Sequence, residues 1–256
     1  MNKLAENLGR FRLVTFDITD TLLRFRTFPA YQYAKAAKDF GYPNLDQAKL
    51  ADNFNRHFRQ MAEKYPIFGY HHSEIGGWRN WWQLLVIRVF ESSHSNIPSR
   101  DLEKIANHLI HSFETSECWC RCSSAEALVA DIKKEGKIVG VITNSDPRIR
   151  SVVKNLELPE FDFITCSYDI GYQKPNREIF EKALRQAGVA VTGDESLHIG
   201  NTPRLDFLGA RDAGWASVLI TNNSDSWREH SDIDPRKTFP TLRQFHEALK
   251  DKRLNL

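Results

Sequence analysis

The sequence predicts an α/β fold: a parallel sheet with helices on both faces, opened after its first strand by an all-helical insertion. Three observations point there. Residues 11–17, Phe-Arg-Leu-Val-Thr-Phe-Asp, form an apolar run that ends in an acid and reads as a buried strand. From about residue 28 to 116 the apolar positions follow helical spacing, with no strand pattern among them. From 124 onward strand and helix patterns alternate, the arrangement that builds a parallel sheet. The first strand completes that later set. Residues 1–24 and 117–256 are therefore read as the core and residues 25–116 as a cap domain.

Within the insertion, helices are expected over Ala30–Phe40, Asp46–Lys64, Trp78–Ser92 and Ser99–Thr115. Ser99 is placed at an N-cap with Glu103 in the first turn, and Pro43 and Pro66 mark breaks. In the core the expected order is helix 124–135, strand 137–143, helix 147–156, strand 162–166, helix 176–187, strand 196–200, helix 204–213 and strand 215–220. A last strand edge and a helix over Thr241–Lys250 finish the chain. The crossings near 24–28 and 116–124 are the expected hinges if the cap moves as a lid.

Composition sets the class. The chain has 256 residues, 41% of them hydrophobic, and 35 Lys+Arg against 33 Asp+Glu leave a charge of +2. That balance argues against nucleic acid as a partner, and no apolar run has the length of a membrane span. The N-terminal stretch lacks the apolar centre of a secretory signal and the Arg/Ser-rich texture of a transit peptide. An intracellular protein, cytoplasmic and compatible with the nucleus, is expected. Cys118, Cys120 and Cys122 alternate and would share one side of an extended segment. No matching second half of a zinc site appears, so they and Cys166 read as structural thiols. Trp78, Trp81 and Trp82 read as packing between cap helices ahead of an aromatic lining, and His71-His72 as exposed polar residues.

Ligands of open parallel sheets bind beyond the carboxyl ends of the strands. The residues delivered there are Asp17-Ile18-Thr19-Asp20-Thr21, then Thr143-Asn144, then Gly171-Tyr172-Gln173-Lys174-Pro175, then Asn201 with Asp206 a loop later. Asp17 can act as a nucleophile if its charge is balanced, and Lys174 would keep it ionised. Thr143 can donate hydrogen bonds to the oxygens of a transferred group. Asp206 with Asp17 could hold a divalent cation that draws in phosphate. Each residue alone has an ordinary explanation as a cap, a turn or a solvated loop entry. Their succession at consecutive strand ends does not.

That ordered set resembles the haloacid dehalogenase-like (HAD) hydrolase superfamily. The matching pieces are Asp17-Ile18-Thr19-Asp20-Thr21, Val141-Ile142-Thr143-Asn144, Lys174-Pro175 with Ile179-Phe180, and His198-Ile199-Gly200-Asn201 with Asp206 and Gly209-Ala210. The Trp81-Trp82 pair, Tyr65-Pro66 with Phe68-Gly69, and Thr115 with Cys118-Trp119 carry a narrower match inside that superfamily. The resemblance implies a Rossmann-like core with a helical cap of the C1 type. It implies Asp17 as nucleophile, Lys174 and Thr143 as the phosphate-binding pair with Asn144 beside them, and Asp17, Thr19, Asn201 and Asp206 at the metal positions. A small phosphorylated metabolite and a weakly held Mg²⁺ follow from the same likeness.

Two positions depart from the family's phosphatase pattern. Thr19 stands in the catalytic set where an acid would protonate the leaving oxygen, and it has no useful titration near neutral pH. Asn201 stands where an acidic metal ligand is expected, and an amide oxygen brings no charge. Three readings stay open on the residues: a slow Mg²⁺-dependent phosphatase, a non-catalytic relative that binds a ligand or partner, and metal-free dehalogenase-like ester chemistry at Asp17. Arg24 and Arg26 lie just after the first motif, with no clear halide-binding set beside them.

Overall fold

The computed structural model describes residues 2–256 except Ser95, Val189 and Ser224. It contains a six-stranded sheet in the order β5-β4-β1-β6-β7-β8 and a two-stranded sheet of β2 and β3. The strands are β1 Leu13–Phe16, β2 Leu23–Phe25, β3 Trp119–Arg121, β4 Ile138–Thr143, β5 Phe163–Cys166, β6 Ser196–Gly200, β7 Ala216–Ile220 and β8 Thr238–Phe239. Every neighbouring pair in the larger sheet is parallel.

Parallel strands covered on both faces read as continuous apolar runs, and β1, Leu-Val-Thr-Phe, is buried at all four positions. β4 contains Gly140 because a Cβ there would lie 2.3 Å from the Phe163 ring of the neighbouring strand. β1 has β4 on one side and β6 on the other. The chain builds outward through β4 and β5, then returns to build β6, β7 and β8. Ligands of open parallel sheets bind at the carboxyl ends beside such a reversal.

The chain divides into two compact units. One comprises Met1–Arg24, Arg121–Asn144 and Glu157–Leu256, and holds the six-stranded sheet. The other comprises Phe25–Cys120 and Ser145–Leu156. Its helices, Pro29–Asp39, Gln47–Lys64, Trp78–Ser93 and Ser99–Ser112, enclose a core that includes Tyr33, Leu50, Met61, Trp81, Leu85, Phe90 and Ile105. The expected helix 147–156 is observed as Ile149–Asn155 and groups with these helices.

Several local expectations change. Ser99 is the first helical residue and Pro98 holds the cap position, so no side chain caps that end, and Asp101 is the acid of its first turn. The stretch expected as helix 204–213 is a wide π-helical turn, Pro203–Leu208, followed by a short α-helix, Gly209–Asp212. Trp119 is buried and donates its indole N–H to Phe113 O, so β3 buries residues on both sides; Cys118 is fully buried and Cys120 partly so. Among the described residues the cysteines form no disulfide. Trp81 lies in the helical core and donates to Tyr65 O, as packing demands. No helix among the described residues is long and apolar enough to cross a membrane.

Candidate active site

Asp17 follows β1 directly. Its backbone N–H donates to Ile199 O at 2.9 Å, which continues the β1–β6 pairing by one residue and fixes the base of the side chain. Lys174 arrives from the loop after β5 and the short helix Ser167–Ile170. The Asn144 amide grips that loop from both sides: its oxygen accepts from Lys174 N at 2.7 Å and its nitrogen donates to Lys174 O at 3.0 Å. The side chain of Asn144 is thereby occupied with placing Lys174.

The Lys174 ammonium donates to Asp17 Oδ1 and to Ile142 O, each at 2.7 Å, and lies 2.7 Å from Asp206 Oδ1. Asp206 sits in the π-helical turn after β6. Its Oδ2 accepts from Thr202 N at 2.8 Å, and its Oδ1 faces His198 Nε2 at 3.2 Å. Gly200 makes room for it, since a Cβ there would lie 2.3 Å from Asp206 Cγ. Lys174 is 2% exposed, Asp206 1% and Asp17 8%.

Burial shapes the charges of this cluster. It is the largest influence on Asp17 and, with repulsion from Asp206, outweighs the attraction of Lys174, so the carboxyl is raised to about 6. Burial opposes ionisation of Asp206 as well, yet the Lys174 charge and the His198 hydrogen bond hold it well below the usual carboxylate range. Lys174 loses hydration but gains two carboxylates, and its pKa rises above the ordinary amine value. Asp17 is thus the more readily protonated member of a cluster with one cation and two carboxylates.

The remaining expected residues fall around this centre. Thr143 ends β4, buried, in register with Cys166 of β5. Thr19 is partly buried in the loop after Asp17 and bridges to Leu23. Asp20 beside it is exposed, with a left-handed backbone at φ 59°. Asn201 is partly buried and its Oδ1 accepts from the Thr202 hydroxyl at 3.2 Å. Arg24 and Arg26 are exposed, and Arg26 donates to Ser116 O.

His198 and Thr15 were not assigned roles by the sequence reading. Their signal is a polar residue in the middle of an otherwise apolar buried strand, twice, at one register position.

A family model for haloacid dehalogenase-like hydrolases matches residues 11–214. The chain belongs to the haloacid dehalogenase-like hydrolases. Within this family it is 37% identical to the rhythmically expressed gene 2 protein of Drosophila melanogaster over 254 residues, covering 96% of this chain and 97% of that one. It is 29% identical to haloacid dehalogenase-like hydrolase domain-containing protein 3 of Bos taurus, covering 94% of each. A solved 2-haloacid dehalogenase from Pseudomonas syringae superimposes with a TM-score of 0.63 at 26% identity, covering 93% of this chain and 98% of that one. The likeness to such enzymes agrees with the parallel-sheet core and the order of motifs along it.

Magnesium serves many hydrolases of this family, and the donor set here can be judged for it. Three protein donors occupy the Asp206 carboxylate. Asn201 offers an uncharged oxygen, and Asp17 keeps one carboxylate oxygen that Lys174 does not engage. Among the described residues no group of three His, Cys, Asp or Glu side chains is placed to hold a metal. Magnesium is commonly bound through one or two carboxylates plus substrate phosphates. The set meets that minimum only in company with a phosphate.

Proposed function

We propose that the protein is a hydrolase of small phosphorylated metabolites that works through an aspartyl-phosphate on Asp17. The observation that carries this reading is the three-way contact of Lys174 with Asp17, Asp206 and Ile142 O at the carboxyl edge of the sheet. It fixes Oδ1 of Asp17 and leaves Oδ2 to attack phosphorus. Attack forms the Oδ2–P bond and breaks the bond from phosphorus to the leaving oxygen, which departs with its electron pair. Water then cleaves the acyl phosphate, releasing inorganic phosphate and restoring the carboxylate. Thr143 donates a hydrogen bond to the transferred group. Asp17 and Asn201 would hold magnesium together with the substrate's phosphate, and the ion supplies the positive charge this cluster lacks.

Thr19 cannot donate the proton that an alkoxide needs on leaving. The substrates that suit this site are therefore acyl, enol or aryl phosphates, whose leaving oxygens are stable without one. For the same reason the second step is slow, because no carboxylate at position 19 activates water.

One observation favours a second reading. With Asp206 fully engaged and Asn201 neutral, the site is also suited to chemistry without a metal: Oδ2 attacks a carbon bearing halogen, a halide leaves, and water cleaves the ester. A halide needs no proton, so Thr19 costs nothing there.

Phosphate release from a panel of phosphorylated metabolites, in Mg²⁺ and in chelator, beside Asp17→Asn, separates the readings. Mg²⁺-dependent release abolished by Asp17→Asn supports the first. Halide release from 2-haloacids in chelator replaces it with the second. Silence on both panels overturns the hydrolase reading in favour of a ligand- or partner-binding role.

A further inference from the structure

The two central strands carry polar side chains where their neighbours are apolar. Thr15 of β1 and His198 of β6 are register partners and both are fully buried. Buried polar groups destabilise a fold unless they are paired. Here the pairing runs in one direction. Thr15 Oγ1 lies 2.9 Å from His198 Nδ1, and His198 Nε2 lies 3.2 Å from Asp206 Oδ1. A carboxylate only accepts, so Nε2 carries the proton. The Thr15 hydroxyl donates to Nδ1, the nearer acceptor in its reach, and burial pulls the ring's pKa below the usual histidine value. Leu197 O, at 3.5 Å from the same hydroxyl, is at the limit of hydrogen-bond reach and competes weakly.

We propose that His198, held in its Nε2–H tautomer by Thr15, is a positioning residue that sets how Lys174 is shared between Asp206 and Asp17. One ammonium lies 2.7 Å from an oxygen of each carboxylate. The His198 N–H satisfies Asp206 from a second direction. Without it, Asp206 would draw the ammonium toward itself and release Asp17 Oδ1. Thr15 touches none of the reacting groups and acts only through the ring. The kinetic half of this inference rests on Asp17 being the nucleophile; the tautomer does not.

Nitrogen-15 histidine spectra of the full chain test the tautomer, with His198 assigned by its loss in His198→Gln. Nδ1 is expected unprotonated and Nε2 protonated, and Thr15→Val is expected to raise the Nδ1–H form. A His198 protonated at Nδ1 in the natural protein overturns the proposal, whatever the activity. On any substrate from the panel above, Thr15→Val is expected to lower kcat by up to about tenfold at constant KM, the scale of one neutral hydrogen bond. His198→Leu should lose more. His198→Gln, whose amide N–H can reach Asp206, should recover to within about threefold, and adding Thr15→Val to it should cost nothing further. Equal losses from Thr15→Val in both backgrounds, or His198→Gln as poor as His198→Leu, overturn the proposal. A silent panel removes the proposed function and leaves the spectra to decide this one.

Discussion

The Lys174 ammonium lies 2.7 Å from Oδ1 of Asp17, a residue 157 positions away in the chain. Both groups are buried, and the pair is completed by Asp206 on the other side of the same nitrogen. A cluster of this kind is arranged for chemistry at a cost in stability, and the cost can be measured.

Asp17→Asn should stabilise the protein at pH 8. Its carboxyl is raised to about 6, so the fold favours the protonated form and holds the charge under protest above that pH. The gain should be about 2 kcal/mol at pH 8, shrink as pH falls through 6, and vanish near pH 4, where the natural side chain is itself protonated. Denaturant unfolding at pH 8, 5 and 4 checks this; a variant less stable than the natural protein at pH 8 contradicts it. If Asp17 is the nucleophile, as proposed, hydrolysis should rise with pH through about 6 as it ionises.

Removing the cation should do the opposite. Lys174→Met leaves two buried carboxylates facing each other, which should cost about 3–5 kcal/mol near neutral pH. Part of that loss should return in the double variant with Asp17→Asn. Unfolding curves for the two single variants and the double one form the test, and simple additivity would refute the shared-ammonium picture.

Gly200→Ala should disable the site from outside the reacting groups. The new Cβ would stand 2.3 Å from Asp206 Cγ and 2.5 Å from its Cβ, atoms too close to the backbone to swing away. Overpacking of this sort costs about 1–3 kcal/mol, and Asp206 must leave Lys174 or Thr202 to relieve it. Turnover should fall by more than tenfold, about the loss of one charge-assisted hydrogen bond. Unchanged turnover would show that Asp206 tolerates displacement.

The helical unit contains its own buried ion pair. Asp146 Oδ1 accepts from Arg148 Nε at 2.8 Å, and its Oδ2 accepts from Arg148 Nη2 and Trp82 Nε1, each at 2.7 Å. The Arg148 guanidinium lies over the rings of Trp82 and Trp78, at 4.8 and 5.2 Å from their centroids. Arg148→Leu strands the Asp146 charge and should destabilise by about 3–5 kcal/mol, whereas Trp82→Phe removes one donor and should cost about 1–2 kcal/mol. Native-state hydrogen exchange should show Ile149–Asn155 opening with the helices of this unit. Exchange in step with the sheet would contradict the grouping.

Local pattern carried much of the architecture. Largely apolar runs marked β1, β4 and β6 to within two residues at each end, because a strand buried on both faces lacks the regular polar alternation of a half-exposed one. The short strand β2 was not predicted, and β3 only as an extended segment around Cys120, since three residues are too few to show a period. The π-helical turn at Pro203–Leu208 was read as ordinary helix because its width comes from packing: Asp206 beneath Gly200, and Gly209 against Pro175, where an added Cβ would lie 2.9 Å away.

The site divides along the same line. Which acid, hydroxyl and lysine stand at the carboxyl ends of the strands could be read from the linear chain, because strand order along the sequence delivers them there. How they share charge could not. That Lys174 serves Asp17 and Asp206 at once, that Asn144 is occupied in holding the Lys174 backbone, and that Thr15 and His198 stand behind Asp206 depend on contacts between residues far apart in the chain. Those contacts are 2.7–3.2 Å long. They arise only when β1, β4 and β6 lie side by side and exclude water.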